Sequence, residues 1–260
     1  MPLLEIANSK INCMTGKNGI RKGKKNLLFI HGAGGNHTVW AMQLPYFGGN
    51  YNPIAVELPG HGDSGGDGEK DINSYTEWIR KIIDNLSLET CSMVGHSMGG
   101  AITLRFALKY PQYLDSIVLV GTGARLRVSS DILDTVKANF DNAIKLICKF
   151  AYSDHVSSLV IEMGEMEMRK TSPDVLYDDF AACNSFDVLE EIKKVKVPTL
   201  IISGSEDRLT FPKYSRFLHE NIRGSKLAMV KDAGHMIMVE KPKEFNKEVE
   251  DFISSLPPLG

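Results

Sequence analysis

The sequence predicts an α/β fold: a mostly parallel sheet with helices on both faces. Two observations carry this reading. Short apolar runs of strand length alternate with longer segments of helical periodicity, the pattern of consecutive βα units. Clusters rich in Gly, Pro and Asn, such as 50–53 and 60–68, separate them. A third observation modifies it: between Val120 and Thr199 no convincing strand occurs, so about 70 residues, 124–194, form an all-helical insertion.

Taken in order, Leu3 to Ala7 and Ile11 to Thr15 flank Asn8-Ser9-Lys10 and read as an antiparallel hairpin at one edge of the sheet. Strands follow at Leu27 to His31, Pro53 to Glu57, Cys91 to Gly95 and Ser116 to Val120, with helices at 37–44, 74–86 and 98–109. Trp40, Tyr46 and Phe47 are placed to pack the first helix onto the sheet. In the insertion, Ser130-Asp131 caps a helix running toward Tyr152, Asp154 a second toward Arg169, and Ser172-Pro173 a third toward Lys193. Thr199 to Ser203 and Lys226 to Val230 resume the sheet, with helices at 212–220 and 242–254. An insertion of this length between two strands commonly serves as a lid. The expected organisation is a core of 1–123 and 195–260 carrying a helical cap of 124–194.

Composition removes several function classes. At 260 residues, against roughly 150 per domain, the chain holds between one and two domains and can bury a large core. With 43% hydrophobic and 24% charged residues it is not a disordered or fibrous chain. A net charge of −2 with no basic run argues against a nucleic-acid partner. No run of about 20 apolar residues predicts a membrane span. Glu5 interrupts the first residues, so Met1 to Ile6 does not read as a secretory leader. The four cysteines, Cys13, Cys91, Cys148 and Cys183, lack metal-ligand spacing and read as reduced buried thiols, which makes a cytoplasmic setting the expectation.

The chemistry centres on Gly95-His96-Ser97-Met98-Gly99-Gly100, where a strand meets a helix. This G-x-S-x-G turn is so tight that side chains at 95 and 99 would strike neighbouring backbone, and it presents Ser97 at a helix N-terminus in strained backbone geometry. A serine hydroxyl is a weak nucleophile near neutrality, so it needs a base and an acid to orient that base. Of the histidines beyond Ser97, His155 falls in the insertion and His219 in an amphipathic helix, whereas His235 lies on a loop directly after the last strand. For the acid, Asp207 in Gly204-Ser205-Glu206-Asp207 follows a strand end, where ligand sites of open parallel sheets gather. Glu206 is barely separable from it by spacing, and Asp232 is a third choice close in sequence to His235. Developing negative charge on an attacked carbonyl requires backbone donors. The main-chain amides of Ala33, in His31-Gly32-Ala33-Gly34-Gly35, and of Met98 are placed to supply them. A phosphate-binding loop is the competing reading of 31–35, but G-x-G-x-x-G spacing and a Gly-Lys-Ser/Thr are lacking.

Leu27 to Gly35, Glu57-Leu58-Pro59-Gly60-His61-Gly62-Asp63-Ser64, Gly95 to Gly100, Gly204 to Asp207 and Gly234-His235 occur in the order of one family. Across essentially its whole length the chain resembles the α/β-hydrolase superfamily. That resemblance implies an eight-stranded sheet and a helical cap inserted after strand six. Glu57 stands where similar chains usually carry aspartate, at a position that looks structural. A serine rather than aspartate nucleophile argues against the epoxide hydrolase and haloalkane dehalogenase branches.

The expected activity is hydrolysis of a carboxylic ester or related small acyl compound through an acyl-enzyme. A C–C hydrolase of dicarbonyl compounds or an acyltransferase would use the same triad, and a non-catalytic ligand-binding protein would keep only the pocket. Candidate substrate contacts are Gly34, Met236, Arg125 and Met163. Arg125, like Arg127, could attract a carboxylate, while the helical spacing of Val156, Val160, Met163 and Met166 favours core packing for the cap methionines. No metal or organic cofactor is expected. The expected partner is a small acyl substrate, with no nucleic acid and no membrane, acting on a monomer or homodimer.

Overall fold

A computed structural model of the protein describes residues 3–257. Met1 and Pro2, where the leader reading begins, and Pro258 to Gly260, counted above into the core, lie outside the described residues. Eight strands form one sheet: β1 (Leu3–Ile6), β2 (Ser9–Thr15), β3 (Asn26–Ile30), β4 (Asn52–Val56), β5 (Cys91–His96), β6 (Leu114–Val120), β7 (Thr199–Gly204) and β8 (Lys226–Val230). Their spatial order is β1-β2-β4-β3-β5-β6-β7-β8. The β1/β2 hairpin and the β2/β4 pair are antiparallel, and every other pair is parallel. The central strands are buried along nearly their full length, so they read as unbroken apolar runs rather than alternating ones.

Successive side chains enter opposite layers. Leu28 and Ile30 of β3 join the core beneath α2 (Ile72–Asn85) and α3 (Met98–Lys109), while Leu27 and Phe29 face the other side. On that second face Phe29 packs against Trp40 at 5.1 Å between ring centroids and against Phe47 at 6.0 Å. The helix expected at 37–44 is divided into a 3-10 turn, His37–Trp40, capped by Asn36, and a short α1 (Gln43–Phe47). Tyr46 corrects the sequence reading, because it is exposed and its hydroxyl bonds Glu250 on the last helix instead of entering the core.

Between β6 and β7 lie four α-helices: α4 (Ser130–Ala138), α5 (Phe140–Ala151), α6 (Ser158–Met168) and α7 (Pro173–Ser185). The single helix expected from 130 to Tyr152 is broken at Asn139, whose side chain leaves α4 to cap α5 by accepting from the Asn142 amide at 3.1 Å. Asp154 does not cap α6; it pairs with Arg208, and Ser157 occupies the cap position. The third helix stops at Ser185 because Phe186 is extended and the chain turns into a bridge between Asp187 and Arg125. Ala182, Cys183 and Phe186 belong to the main core, so α7 is continuous with the α/β layer rather than perched on it. After β7 come α8 (Pro212–Asn221), α9 (Ile237–Glu240) and α10 (Pro242–Ser254). All four cysteines are free and buried.

Candidate active site

The turn from β5 into α3 holds Ser97 at φ +53°, ψ −115°, a conformation that L residues avoid. Its backbone is fixed on both sides. The Ser97 amide donates to Val120 O at 2.9 Å, and its carbonyl accepts from Gly100 N (2.9 Å), Ala101 N (3.1 Å) and Thr122 Oγ1 (2.9 Å). Glycine is obligatory beside it. A Cβ at 95 would lie 2.2 Å from Gly99 O and 2.3 Å from Thr103 Oγ1, and one at 99 would lie 2.3 Å from Ile30 O. Ser97 itself is half-buried, and among the described residues its Oγ forms no hydrogen bond.

Asp207 and His235 are brought together from the loops after β7 and β8. Asp207 Oδ2 lies 2.9 Å from His235 Nδ1, with the residues only 2% and 4% exposed. A carboxylate can only accept here, so Nδ1 carries the proton and Nε2 keeps its lone pair in the neutral ring. Thr210 Oγ1 also donates to Oδ2 at 2.7 Å, and the amides of Leu209 and Thr210 donate to Oδ1 at 2.9 and 2.8 Å. Burial alone would raise the Asp207 pKa, but the His235 charge and the hydrogen bonds from His235 and Thr210 outweigh it and hold the group below the ordinary aspartate value. Gly121, at φ +51° where β6 ends, leaves room for the pair, since a Cβ there would sit 3.2 Å from His235 Nδ1 and 3.3 Å from Asp207 Oδ2.

The residue preceding Ser97 links the two halves. His96 packs beside His235 with ring centroids 4.5 Å apart and planes tilted by 54°, and its Nε2 donates to His235 O at 3.1 Å. Burial, reinforced by the neighbouring His235, drives its pKa well down, so His96 is a neutral spacer. Gly32 completes the floor: a Cβ on it would lie 3.1 Å from Ser97 Cβ.

Ala33 and Met98 lie on either side of this turn, in the loop after β3 and in the first position of α3. Among the described residues neither main-chain amide donates a hydrogen bond. Beneath the loop, His31 Nδ1 donates to Gly32 O (2.8 Å) while its Nε2 accepts from Leu58 N (3.1 Å). Burial, then the charge of His61, lowers its pKa to about 3.

Among the described residues the other candidates make no hydrogen bond to Ser97, Asp207 or His235. Glu206 turns away to His155 at 3.2 Å, and Asp232, at φ +54°, donates its amide to Ser205 Oγ. Gly34 is buried and its amide is already committed to Asp179. Arg125 is half-exposed and pairs with Asp187 at 3.6 Å. Met163, on α6, is 58% exposed and fills no core; Met166 is exposed likewise. Met236 is half-buried between the Phe29 face of the sheet and α5. His155, Glu206 and Asp232 do offer metal-type ligand atoms within 4.8 Å of one another, in exposed and half-buried positions. Sequence reasoning missed Glu240, which holds the histidine loop by accepting from the amides of Gly234 (3.0 Å), Ser153 (3.1 Å) and Met236 (3.2 Å). It also missed Thr210, for which an Asp followed three residues later by Thr is the one available signal.

Residues 27–248 match the alpha/beta hydrolase family. The structure of a thermophilic esterase is 32% identical, covers 96% of each chain and superposes with a TM-score of 0.86. A pimeloyl-[acyl-carrier protein] methyl ester esterase of Neisseria meningitidis serogroup A is 25% identical over 251 residues, 89% of this chain and 78% of that protein. A 2-hydroxy-6-oxo-2,4-heptadienoate hydrolase of Pseudomonas putida is 26% identical over 252 residues, 88% of this chain and 89% of that protein.

Proposed function

The chain belongs to the alpha/beta hydrolase family, and from that membership and the geometry at Ser97 we propose that it is a serine hydrolase of carboxylic esters or related small acyl compounds. The observation that carries this reading is the buried Asp207–His235 pair beside a serine held at positive φ. Ser97 Oγ attacks the substrate carbonyl while His235 Nε2 takes its proton, and Asp207 stabilises the resulting imidazolium. The tetrahedral oxyanion is held by the amides of Ala33 and Met98, each worth about 3 kcal/mol in the transition state. His235 then returns the proton to the departing alcohol. Water, deprotonated by the same nitrogen, releases the acid and restores Ser97. Residues 124–194 are the cap that shapes the acyl and alcohol sites.

Ester hydrolysis is favoured over C–C cleavage by the 32% likeness to an esterase. A complete serine, base and acid set favours catalysis over ligand binding alone. Four free buried thiols fit a reducing, cytoplasmic setting. Incubation with a fluorophosphonate followed by mass mapping should place the adduct on Ser97, and a p-nitrophenyl ester panel should show turnover that Ser97→Ala abolishes. A folded protein that neither labels at Ser97 nor turns over any ester would overturn the reading.

A further inference from the structure

The loop that carries Ala33 is gripped from outside the α/β layer. The Gly34 amide donates to Asp179 Oδ2 at 2.8 Å, and the Gly34 carbonyl accepts from Thr171 Oγ1 at 3.1 Å. Both partners belong to the helical insertion, and both are essentially inaccessible to solvent. Gly34 sits at φ +62°, and a Cβ on it would meet Leu176 Cδ1 of α7 at 2.6 Å, so the loop backbone lies directly against the insertion. A third insertion residue, Glu167, accepts from Asn36 Nδ2 (3.1 Å) and Thr38 Oγ1 (3.2 Å) just beyond.

Asp179 is itself immobilised. Besides Gly34 it accepts from Tyr75 OH at 2.6 Å and contacts His61 Nε2 at 2.8 Å. His61 Nδ1 faces Pro59 O at 2.9 Å. Both ring nitrogens therefore point at groups that only accept, which requires both to carry protons and makes His61 a buried cation against the Asp179 carboxylate. Burial opposes that charge, yet Asp179 holds the His61 pKa above its ordinary value. A buried ion pair with every polar atom engaged is a rigid anchor, and its third outside partner, after Tyr75 and Pro59, is the Gly34 amide beside the proposed oxyanion donor Ala33.

We propose that Asp179 and Thr171 are positioning residues that hold the Ala33 amide in register for the oxyanion, so that the helical insertion completes the catalytic site as well as covering it. This rests on the serine-hydrolase reading above. An oxyanion donor acts on the transition state, so its misplacement lowers kcat and leaves KM largely unchanged.

The test uses the full chain and two variants, Thr171→Val, which is nearly isosteric and removes only the donor to Gly34 O, and Asp179→Asn. For p-nitrophenyl butyrate, kcat should fall about tenfold in the first and about 100-fold in the second, with KM within about twofold of the parent. Binding of an alkyl trifluoromethyl ketone, which forms a tetrahedral oxyanion on the serine, should weaken by the same factors, while the matching methyl ketone should bind as before. Unchanged kcat in Thr171→Val, or a rise in KM with both ketones weakened alike, would overturn the inference and leave the insertion as a cover alone. If Asp179→Asn does not fold, Thr171→Val decides. Should the parent protein itself fail to label at Ser97, the serine-hydrolase reading is what falls; a labelled, active parent with an unaffected Thr171→Val removes only the present inference.

Discussion

Replacing Asp207 with asparagine tests the proposed triad at its least exposed member. Three of the four hydrogen bonds to Asp207 survive with little change. The amides of Leu209 and Thr210 still find Oδ1, and the Thr210 hydroxyl can turn to accept from the new NH2. The fourth is inverted, because an amide nitrogen now faces His235 Nδ1 across 2.9 Å. The imidazole then holds its proton on Nε2, where it cannot take one from Ser97. Loss of the correct tautomer and of imidazolium stabilisation raises the barrier by about 5 kcal/mol, roughly a 10⁴-fold fall in kcat. The fold should tolerate the change, with a Tm within a few degrees of the parent. Steady-state hydrolysis of p-nitrophenyl butyrate, the rate of fluorophosphonate labelling and a thermal melt together check it. An Asp207→Asn protein within tenfold of parental activity would refute the assignment and return attention to Glu206 or Asp232, although Glu206 turns away to His155.

Three further outcomes follow from the same geometry. Gly99→Ala should cost about 3 kcal/mol or more in urea unfolding, because its Cβ would overlap Ile30 O, which is backbone and cannot turn aside; a variant as stable as the parent would contradict the packing of α3 on β3. Between pH 6.5 and 5.5 stability should fall by about 1 kcal/mol for each buried neutral histidine of the His31 and His96 type, since the unfolded chain takes up a proton there that the native ring refuses. His37 and His61, with pKa values raised in the native protein, keep their protons while the unfolded rings are still titrating and so add an opposite gain of at most about 0.4 kcal/mol each, which leaves a net fall that a flat urea-stability profile would refute. Arg125→Ala should leave KM for a carboxylate-bearing ester unchanged within about twofold and Tm within a degree or two, as expected for a half-exposed pair with Asp187; a large KM rise would restore Arg125 as a substrate contact.

The sheet was legible because its signal is local. Parallel strands buried on both faces leave apolar runs that end where the ladder ends, and Lys226–Val230 coincides with its expected span. Ser97 was equally legible, since the tight turn demands glycines at 95 and 99 and puts its requirement into contiguous residues. Helix ends in the insertion were less so. Asn139 can continue a helix or cap the next one, and only the packing of α4 against α7 through Val136 and Leu176 decides that it caps. Met163 has core spacing and yet faces solvent, because periodicity marks a face and not what covers it.

What stayed illegible is what joins distant segments. Asp207 and His235 could be paired from sequence because both follow strands that end on the same edge of the sheet, and topology supplies the contact. Asp179 lies mid-helix among other acidic residues, 145 positions from the amide it holds, and nothing local separates it from Asp178. Its place is set by α7 lying against the main core through Ala182 and Cys183, which leaves the middle of the helix facing the loop after β3. The same contact bears on how the insertion can move. Opening α7 as a rigid lid would expose a carboxylate and an imidazolium paired in the core and unseat Gly34, whereas α6, whose Leu159, Met163 and Met166 are exposed, breaks no buried ion pair by shifting. On the proposed reading, movement of the insertion to admit substrate falls to α6 and the turn before it, while α7 and the turn carrying Thr171 stay fixed against Gly34.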